Sequence, residues 1–234
     1  MITQKIAVFG ADSNIGTTMI SMGICEILSS SLGEEGVLYI DCSEKAYEGY
    51  TGLPFNKTRG IDMIFRVVDP IQAAYEVGDY KVIPGPRSRT QLSYDEDFLE
   101  KVFEGSGDDI KRVIIDAGSD PRSALCQQAL KTADKRIFVI RQNPKCIDKF
   151  EMAYDNIFKS LDLVDDTKDI IIINALRKTS LLLSEKDMMG KLLRNFYTLP
   201  FIRDGIKTEY RRCTLTQKSA RFKKALKKIV LKEL

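Results

Sequence analysis

Residues 5–18 read KIAVFGADSNIGTT, an apolar run followed by a turn of small and polar residues. The run Lys5–Phe9 predicts a buried strand, and the pattern over Thr17–Ser30 predicts a helix. Small residues in such a turn let backbone N–H groups face an anion, and the helix N-terminus adds a partial positive charge. The stretch Gly10–Thr18 therefore indicates a phosphate-binding loop, with an ordinary strand-to-helix turn as the alternative.

Short apolar runs alternate with longer helical patterns along the rest of the chain. Near-continuous apolar strands are typical of a parallel sheet buried on both faces between helix layers. We therefore predict an α/β fold, with a doubly wound and mostly parallel sheet flanked by helices. The predicted strands are Lys5–Phe9, Gly36–Ile40, Tyr80–Ile83, Arg112–Ile115, Arg136–Ile140, Asp169–Ile173 and Tyr197–Phe201. The predicted helices are Thr17–Ser30, Ile61–Val68, Ile71–Glu76, Tyr94–Phe103, Arg122–Thr132, Asp148–Ser160, Glu185–Asn195 and Ser219–Leu234.

The composition fits one soluble globular domain over residues 1–234. Apolar residues make up 44% of the chain, which excludes disorder, and 15 glycines with 7 prolines exclude a collagen-like chain. No apolar run approaches the roughly 20 residues of a membrane-spanning helix. The N-terminus leads straight into a strand without a secretory segment, so a cytoplasmic protein is expected.

The residue counts also exclude several kinds of chemistry. The chain has no histidine, which excludes a Ser-His-Asp triad, a histidine general base and a histidine-ligated metal. Its five cysteines are scattered without a C-x-x-C pair and predict reduced thiols, not a zinc site or disulfides. In a parallel sheet of this kind, ligands bind in the crevice beyond the carboxyl ends of the strands.

Two aspartates lie at that edge of the predicted sheet. Asp41 ends the run V-L-Y-I-D, and Asp116 ends the run V-I-I-D. Carboxylates at this place suit the binding of Mg²⁺ or the positioning of water. They are therefore candidate metal ligands, and candidate catalytic residues if the site is active.

The order of these segments resembles the ParA/MinD group of P-loop ATPases over nearly the whole chain. The resemblance is carried by the loop ending Gly-Thr-Thr and by V-L-Y-I-D, V-I-I-D-A-G, K-T-A-D-K-R-I-F-V-I, I-I-I-I-N and L-P-F. Within the group, the chain looks most like the CpaE/TadZ branch associated with pilus assembly and polar localisation. The resemblance implies ATP-dependent dimerisation that positions a cellular cargo.

The loop departs from the family pattern K-G-G-x-G-K-T-T at its two lysines. Aligning Gly16-Thr17-Thr18 with the final G-K-T puts Thr17 at the phosphate-gripping lysine and Asp12 at the signature lysine that reaches the partner's nucleotide. Thr18 matches the Mg²⁺-binding hydroxyl. The nucleotide-binding candidates are Gly10, Asp12, Ser13, Asn14, Ile15, Gly16, Thr17, Thr18 and Asn174.

The other matched positions follow the strands. Asp41 corresponds to the switch carboxylate and Asp116 to the Walker B acid, so Thr18, Asp41 and Asp116 form the candidate Mg²⁺ set. Asn174 corresponds to the amide side chain that reads adenine. Asp12 has two interpretations. In one, its carboxylate supports the turn by accepting from neighbouring N–H groups and so occupies the anion cradle itself. In the other, the loop binds a nucleotide weakly.

The resemblance and its departures predict a catalytically impaired pseudo-ATPase that regulates localisation or assembly as a homodimer. ATP or ADP with Mg²⁺ would be its ligands, and its partner would belong to a surface-assembly, secretion or partition system, at the membrane or cell pole. The alternative is an active Mg-ATPase with a relocated phosphate-binding cation. The candidates for that cation, each with a solvated surface arginine as the alternative, are Arg87, Arg89, Arg122 and Arg177.

The C-terminal stretch SARFKKALKKIVLKEL carries two opposed patterns. Apolar residues recur at helical spacing from Phe222 to Val230, and basic residues including Arg221, Lys224 and Lys228 lie between them. One interpretation is a last core helix packed on the sheet. The other is a basic amphipathic helix that makes weak, non-specific contact with DNA or a membrane surface.

Overall fold

The computed structural model describes residues 2–43, 60–66, 69–85, 94–165, 168–177, 187, 192, 196–203, 205–208 and 213–234. Within them, eight strands form one sheet in the order β3-β4-β2-β5-β1-β6-β7-β8. The strands are β1 Gln4–Gly10, β2 Val37–Asp41, β3 Tyr75–Val77, β4 Tyr80–Ile83, β5 Arg112–Asp116, β6 Lys135–Arg141, β7 Asp169–Leu176 and β8 Phe196–Pro200.

All neighbouring strands run parallel except β3, which pairs antiparallel with β4 at one edge. The topological switch point of the sheet lies at β1, because β5 lies on one side of β1 and β6 on the other. The predicted doubly wound, mostly parallel α/β fold is confirmed. The carboxyl ends of the parallel strands meet at one edge of the sheet, which brings together Gly10, Asp41, Asp116, Arg141 and the residues near Asn174.

The helices are α1 Thr17–Glu26, α2 Phe98–Glu104, α3 Ala124–Thr132, α4 Pro144–Ala153, α5 Leu215–Lys218 and α6 Ala220–Glu233. Each of α1 and α4 continues into a wider π-helical turn, over Ile27–Ser31 and Tyr154–Phe158. Helix α4 begins earlier than predicted because Asn143 caps it, accepting a hydrogen bond from the Cys146 N–H, and Pro144 starts its first turn. The predicted helix Glu185–Asn195 lies almost wholly outside the described residues.

The prediction of a helix over Ile71–Glu76 is wrong. A 3₁₀ turn covers only Pro70–Ala73, and Tyr75–Val77 forms the edge strand β3. Gly78, with φ +58°, makes the tight turn into β4. The hairpin pairs Tyr75 with Val82, so the ladder with β4 takes the place of the hydrogen bonds of a second helical turn.

The core lies on both faces of the central strands, which are almost entirely buried. On one face, an aromatic cluster joins the sheet to α4 and the turn that follows it. Phe9 meets Phe158 edge to face at 5.0 Å between ring centroids, and Phe138 meets Tyr154 at 5.2 Å. All five cysteines are buried free thiols.

Helix α6 packs its apolar face into this core. Phe222 and Leu226 are fully buried, and the approach to α1 is close enough that a Cβ on Gly23 would lie 2.8 Å from Leu226 Cδ2. The basic residues Arg221, Lys224 and Lys228 lie on the exposed face. The prediction of a last core helix is therefore confirmed. Among the described residues, no helix is long and apolar enough to cross a membrane.

Candidate nucleotide site

The loop between β1 and α1 is shaped by two glycines. Gly16 has φ +95°, and a Cβ there would lie 2.4 Å from Asn174 Nδ2. A Cβ on Gly10 would lie 2.2 Å from Thr17 Oγ1, which shows that the Thr17 side chain turns back over the start of the loop. Asn14 also adopts a left-handed conformation, with φ +58°. The chain therefore turns between β1 and α1 with bends at Asn14 and Gly16, and such a turn is common to both interpretations of the stretch Gly10–Thr18.

Side chains from the ends of β6 and β7 brace this loop. Asn174 is 8% exposed and donates a hydrogen bond of 2.7 Å from Nδ2 to the Ile15 carbonyl, while its Oδ1 accepts one from the Ala175 N–H. Arg141 donates from its guanidinium to the Asn14 carbonyl. Asn174, a candidate for reading adenine, thus lies against the loop backbone with its amide engaged there.

Asp12 lies at the exposed side of the loop, in an ion pair with Lys149 of α4. Its Oδ1 is 2.7 Å from Lys149 Nζ and accepts a second hydrogen bond of 2.8 Å from the Ser13 N–H. The hydrogen bond from Lys149 is the main reason that the pKa of the Asp12 carboxyl lies below its usual value. Asp12 therefore both supports the turn, as one interpretation of the sequence proposed, and holds a cation that the sequence did not reveal.

The strand-end carboxylates lie side by side at the carboxyl ends of β2 and β5. Asp41 and Asp116 are register partners on β2 and β5, and both are fully buried. Thr18 Oγ1 donates to Asp116 Oδ2 at 2.6 Å, and the Gly118 N–H donates to the other oxygen at 3.0 Å. Asp41 Oδ1 accepts from Ser43 N–H at 2.8 Å and from Ser43 Oγ at 2.6 Å.

Tyr39 completes this cluster and was not singled out from the sequence. Its hydroxyl donates to Asp116 Oδ2 at 3.2 Å from within the buried strand β2. Burial is the main cause that raises the pKa of Tyr39 well above its usual value, and the nearby Asp116 carboxylate adds to it. Tyr39 thus remains a neutral donor to an oxygen that also accepts from Thr18.

The sequence matches no family model and no curated protein. Solved structures do match along almost the whole chain. MinD from the MinC:MinD cell division complex of Aquifex aeolicus is 16% identical, with a TM-score of 0.79 over 97% of this chain and 94% of that one. A putative plasmid partition protein of Borrelia burgdorferi bound to AMPPNP is 16% identical, with a TM-score of 0.80 over 99% and 100%. MinD of Pyrococcus horikoshii complexed with Mg-ADP is 13% identical, with a TM-score of 0.79 over 98% and 95%.

The fold is that of the ParA/MinD P-loop ATPases. It accounts for the position of the loop, the two strand-end aspartates and Asn174 at one edge of the sheet. At the low identity of these structures, the likeness concerns the fold alone.

Two of the four arginines that the sequence analysis proposed as replacement cations, Arg122 and Arg177, lie among the described residues. The Arg177 guanidinium stacks 3.4 Å above the Phe201 ring. Arg122 is exposed, and its backbone N–H donates a hydrogen bond to Asp120 Oδ1. Arg87 and Arg89 lie outside the described residues. The cations seen in contact with the loop are instead Arg141 and Lys149.

Replacing Asn174 with alanine is expected to lower the free energy of unfolding by about 1–3 kcal/mol. The change removes the donor to the Ile15 carbonyl, in a part of the loop where Ile15 is 2% exposed. Urea denaturation measures the loss, and the exposed Asn156, replaced with alanine, is the control. Equal stability of the two variants would mean that the Asn174 amide does not hold the loop.

Proposed function

We propose that this chain is a catalytically impaired ParA/MinD-type protein, a pseudo-ATPase that regulates localisation or assembly through dimerisation and partner binding. The observation that carries the proposal is the charge of the loop. Thr17 and Asp12 stand where the family has two lysines, and the Asp12 carboxylate is ion-paired within the chain. Phosphoryl transfer depends on cations that stabilise charge on the transferring group, so the loss of both lysines favours binding without turnover.

The residues around the strand-end aspartates fit Mg²⁺ with a nucleotide. Thr18, Asp116 and Asp41 supply one hydroxyl and two carboxylates at the carboxyl ends of the strands, and the Thr18–Asp116 contact already brings two of them within 2.6 Å. Among the described residues, no group of three acidic or cysteine side chains gathers to bind a metal by itself. This small oxygen set suits Mg²⁺, which keeps waters and takes further ligands from phosphates. ATP or ADP with Mg²⁺ is therefore the proposed ligand.

The proposed partners follow from the family likeness. A homodimer and a protein partner are consistent with a fold shared with MinD in a complex with MinC and with plasmid partition proteins. The pilus-assembly branch of CpaE and TadZ is the proposed subgroup. We propose that the chain acts as one domain in the cytoplasm, peripherally at the membrane or cell pole, within a surface-assembly, secretion or partition system.

An active Mg-ATPase with a relocated cation is the second candidate function. It is favoured by the contacts of Lys149 with Asp12 and of Arg141 with the Asn14 carbonyl, which bring two cations to the loop. A third candidate is a surface contact with DNA or anionic membrane through the exposed residues Arg221, Lys224 and Lys228. Because the apolar face of α6 is buried, that contact would rest on charge and weaken with salt.

Calorimetry with ATP and ADP, with and without Mg²⁺, combined with phosphate release, separates the pseudo-ATPase from the active ATPase. We expect Mg²⁺-dependent binding in the micromolar range and phosphate release no faster than that of the Asp116→Asn variant. Light scattering in the same solutions measures the molar mass and so shows whether the chain is a dimer. Multiple turnovers by the wild type, lost in Asp116→Asn, would contradict the proposal and support the active ATPase.

A further inference from the structure

The ion pair between Asp12 and Lys149 joins two distant parts of the chain at the phosphate loop. Lys149 Nζ donates to Asp12 Oδ1 at 2.7 Å, and the two side chains are 38% and 33% exposed. Lys149 lies on α4, the helix that follows β6 directly. The loop thus receives an ammonium group at the position where the family pattern has a lysine of its own.

The same strand-helix unit supplies further positive charge to the loop. Arg141, at the end of β6, donates to the Asn14 carbonyl, and Lys145, in the first turn of α4, acts through space on the Asp12 carboxylate. Arg141 is fixed by a backbone carbonyl. Within the part of the chain that the structure describes, Lys149 is held by a carboxylate, the kind of acceptor that a phosphate oxygen can replace.

We propose that Lys149 is the phosphate-binding cation of this loop. The Asp12 carboxylate holds Lys149 until a polyphosphate takes the place of that carboxylate as the acceptor. The proposal rests on the nucleotide binding in the proposed function and names the residue that carries it. A lysine ammonium on a flexible four-carbon stem can turn from one oxygen acceptor to another. Both partners are partly exposed, so the exchange does not strand a buried charge.

The test measures binding of MgATP and of inorganic tripolyphosphate by calorimetry in four proteins. These are the wild type, Asp12→Asn, Lys149→Gln and the variant with both changes. Asp12→Asn removes the competing carboxylate and is expected to tighten both ligands by about three- to tenfold, the effect of one partly exposed charge contact. The variant with both changes is expected to bind both ligands about three- to tenfold more weakly than Asp12→Asn, which cancels that gain.

The comparison in the Asp12→Asn background is decisive because the ion pair no longer exists there. If Lys149 only stabilised Asp12, Asp12→Asn and the double variant would bind both ligands equally, and the proposal would be overturned. No binding by any of the four proteins would overturn it as well. Loss of ATP binding alone, with tripolyphosphate unaffected, would place Lys149 on the nucleoside and contradict a phosphate role.

A matched control exists on the continuation of the same helix. Asp155 and Lys159 form an ion pair of 2.9 Å with exposures of 50% and 45%. Asp155→Asn and Lys159→Gln are expected to leave both affinities unchanged. The outcome can be distinguished from that of the proposed function. Turnover by the wild type would overturn the pseudo-ATPase but not the role of Lys149 in phosphate binding. Equal affinities with and without Lys149→Gln would overturn that role but not the pseudo-ATPase.

Discussion

Replacing Phe222 with alanine is expected to lower the free energy of unfolding by about 3–5 kcal/mol. Phe222 is fully buried where α6 packs against α1, with one ring atom 4.0 Å from the place of a Cβ on Gly23. Removing the ring leaves a cavity that the rigid helix pair cannot close. Since domains are stable by only about 5–15 kcal/mol, urea denaturation should show a midpoint far below that of the wild type.

The exposed basic residues of the same helix provide the control. Lys224→Ala and Lys228→Ala change the charge that a DNA or membrane contact would use, and each is expected to alter the unfolding free energy by no more than about 0.5 kcal/mol. If Phe222→Ala were as stable as these variants, the apolar face would not be core. Co-sedimentation with anionic vesicles would then be the measurement that decides its role.

The central strands could be predicted from the sequence because their environment leaves a simple pattern. A strand buried on both faces is apolar at nearly every position, and the runs ending at Asp41 and Asp116 are read off within one residue of the observed strands. The aspartates interrupt these runs. Topology then brings them together, since β2 and β5 are neighbours and run parallel.

The edge strand β3 could not be predicted in the same way. It has three residues, and only Tyr75 among them is buried, so its pattern is too short to distinguish from a helical turn. Its pairing with β4 depends on the turn at Gly78 and on the Pro70–Ala73 turn before it, where Asp69 accepts a hydrogen bond from the Ile71 N–H. These local hydrogen bonds outweigh the helical spacing of Ile71–Glu76.

The places of the loop and of the two strand-end carboxylates could be predicted from the sequence, but the cations beside the loop could not. Asp12 and Lys149 are 137 positions apart, and a lysine on an amphipathic helix resembles any solvated charge until the fold places it. Tyr39 could not be predicted for a different reason. It lies within an apolar strand, and its hydroxyl donates to Asp116 on the neighbouring strand. Side-chain pairs between distant elements leave no periodic signal in the sequence.

Replacing Thr17 with lysine is expected to raise the affinity for MgATP by about 100-fold. Thr17 begins α1, is 9% exposed and turns its hydroxyl over Gly10, so a lysine stem from this position starts inside the loop. A unit charge about 4 Å from a phosphate at an effective dielectric near 20 is worth roughly 4 kcal/mol, and desolvation of the ammonium group reduces that gain. Calorimetry with MgATP measures the change.

Thr17→Gln is the matched control for this prediction, because it adds a polar stem of similar length without charge. We expect it to bind MgATP no more tightly than the wild type. Equal affinity in Thr17→Lys and Thr17→Gln would contradict an anion site in this loop and would leave the loop as architecture only.

The second lysine of the family pattern should not be restored at position 12. Lys149 Nζ lies 2.7 Å from Asp12 Oδ1, so Asp12→Lys would set two ammonium groups against each other. Thr17→Lys combined with Asp12→Asn removes the carboxylate without that repulsion, and it is expected to bind MgATP more tightly than either single variant. If Thr17→Lys already places its charge where Lys149 would bind, the two gains will fall short of multiplying, because both cations would then contact the same phosphate.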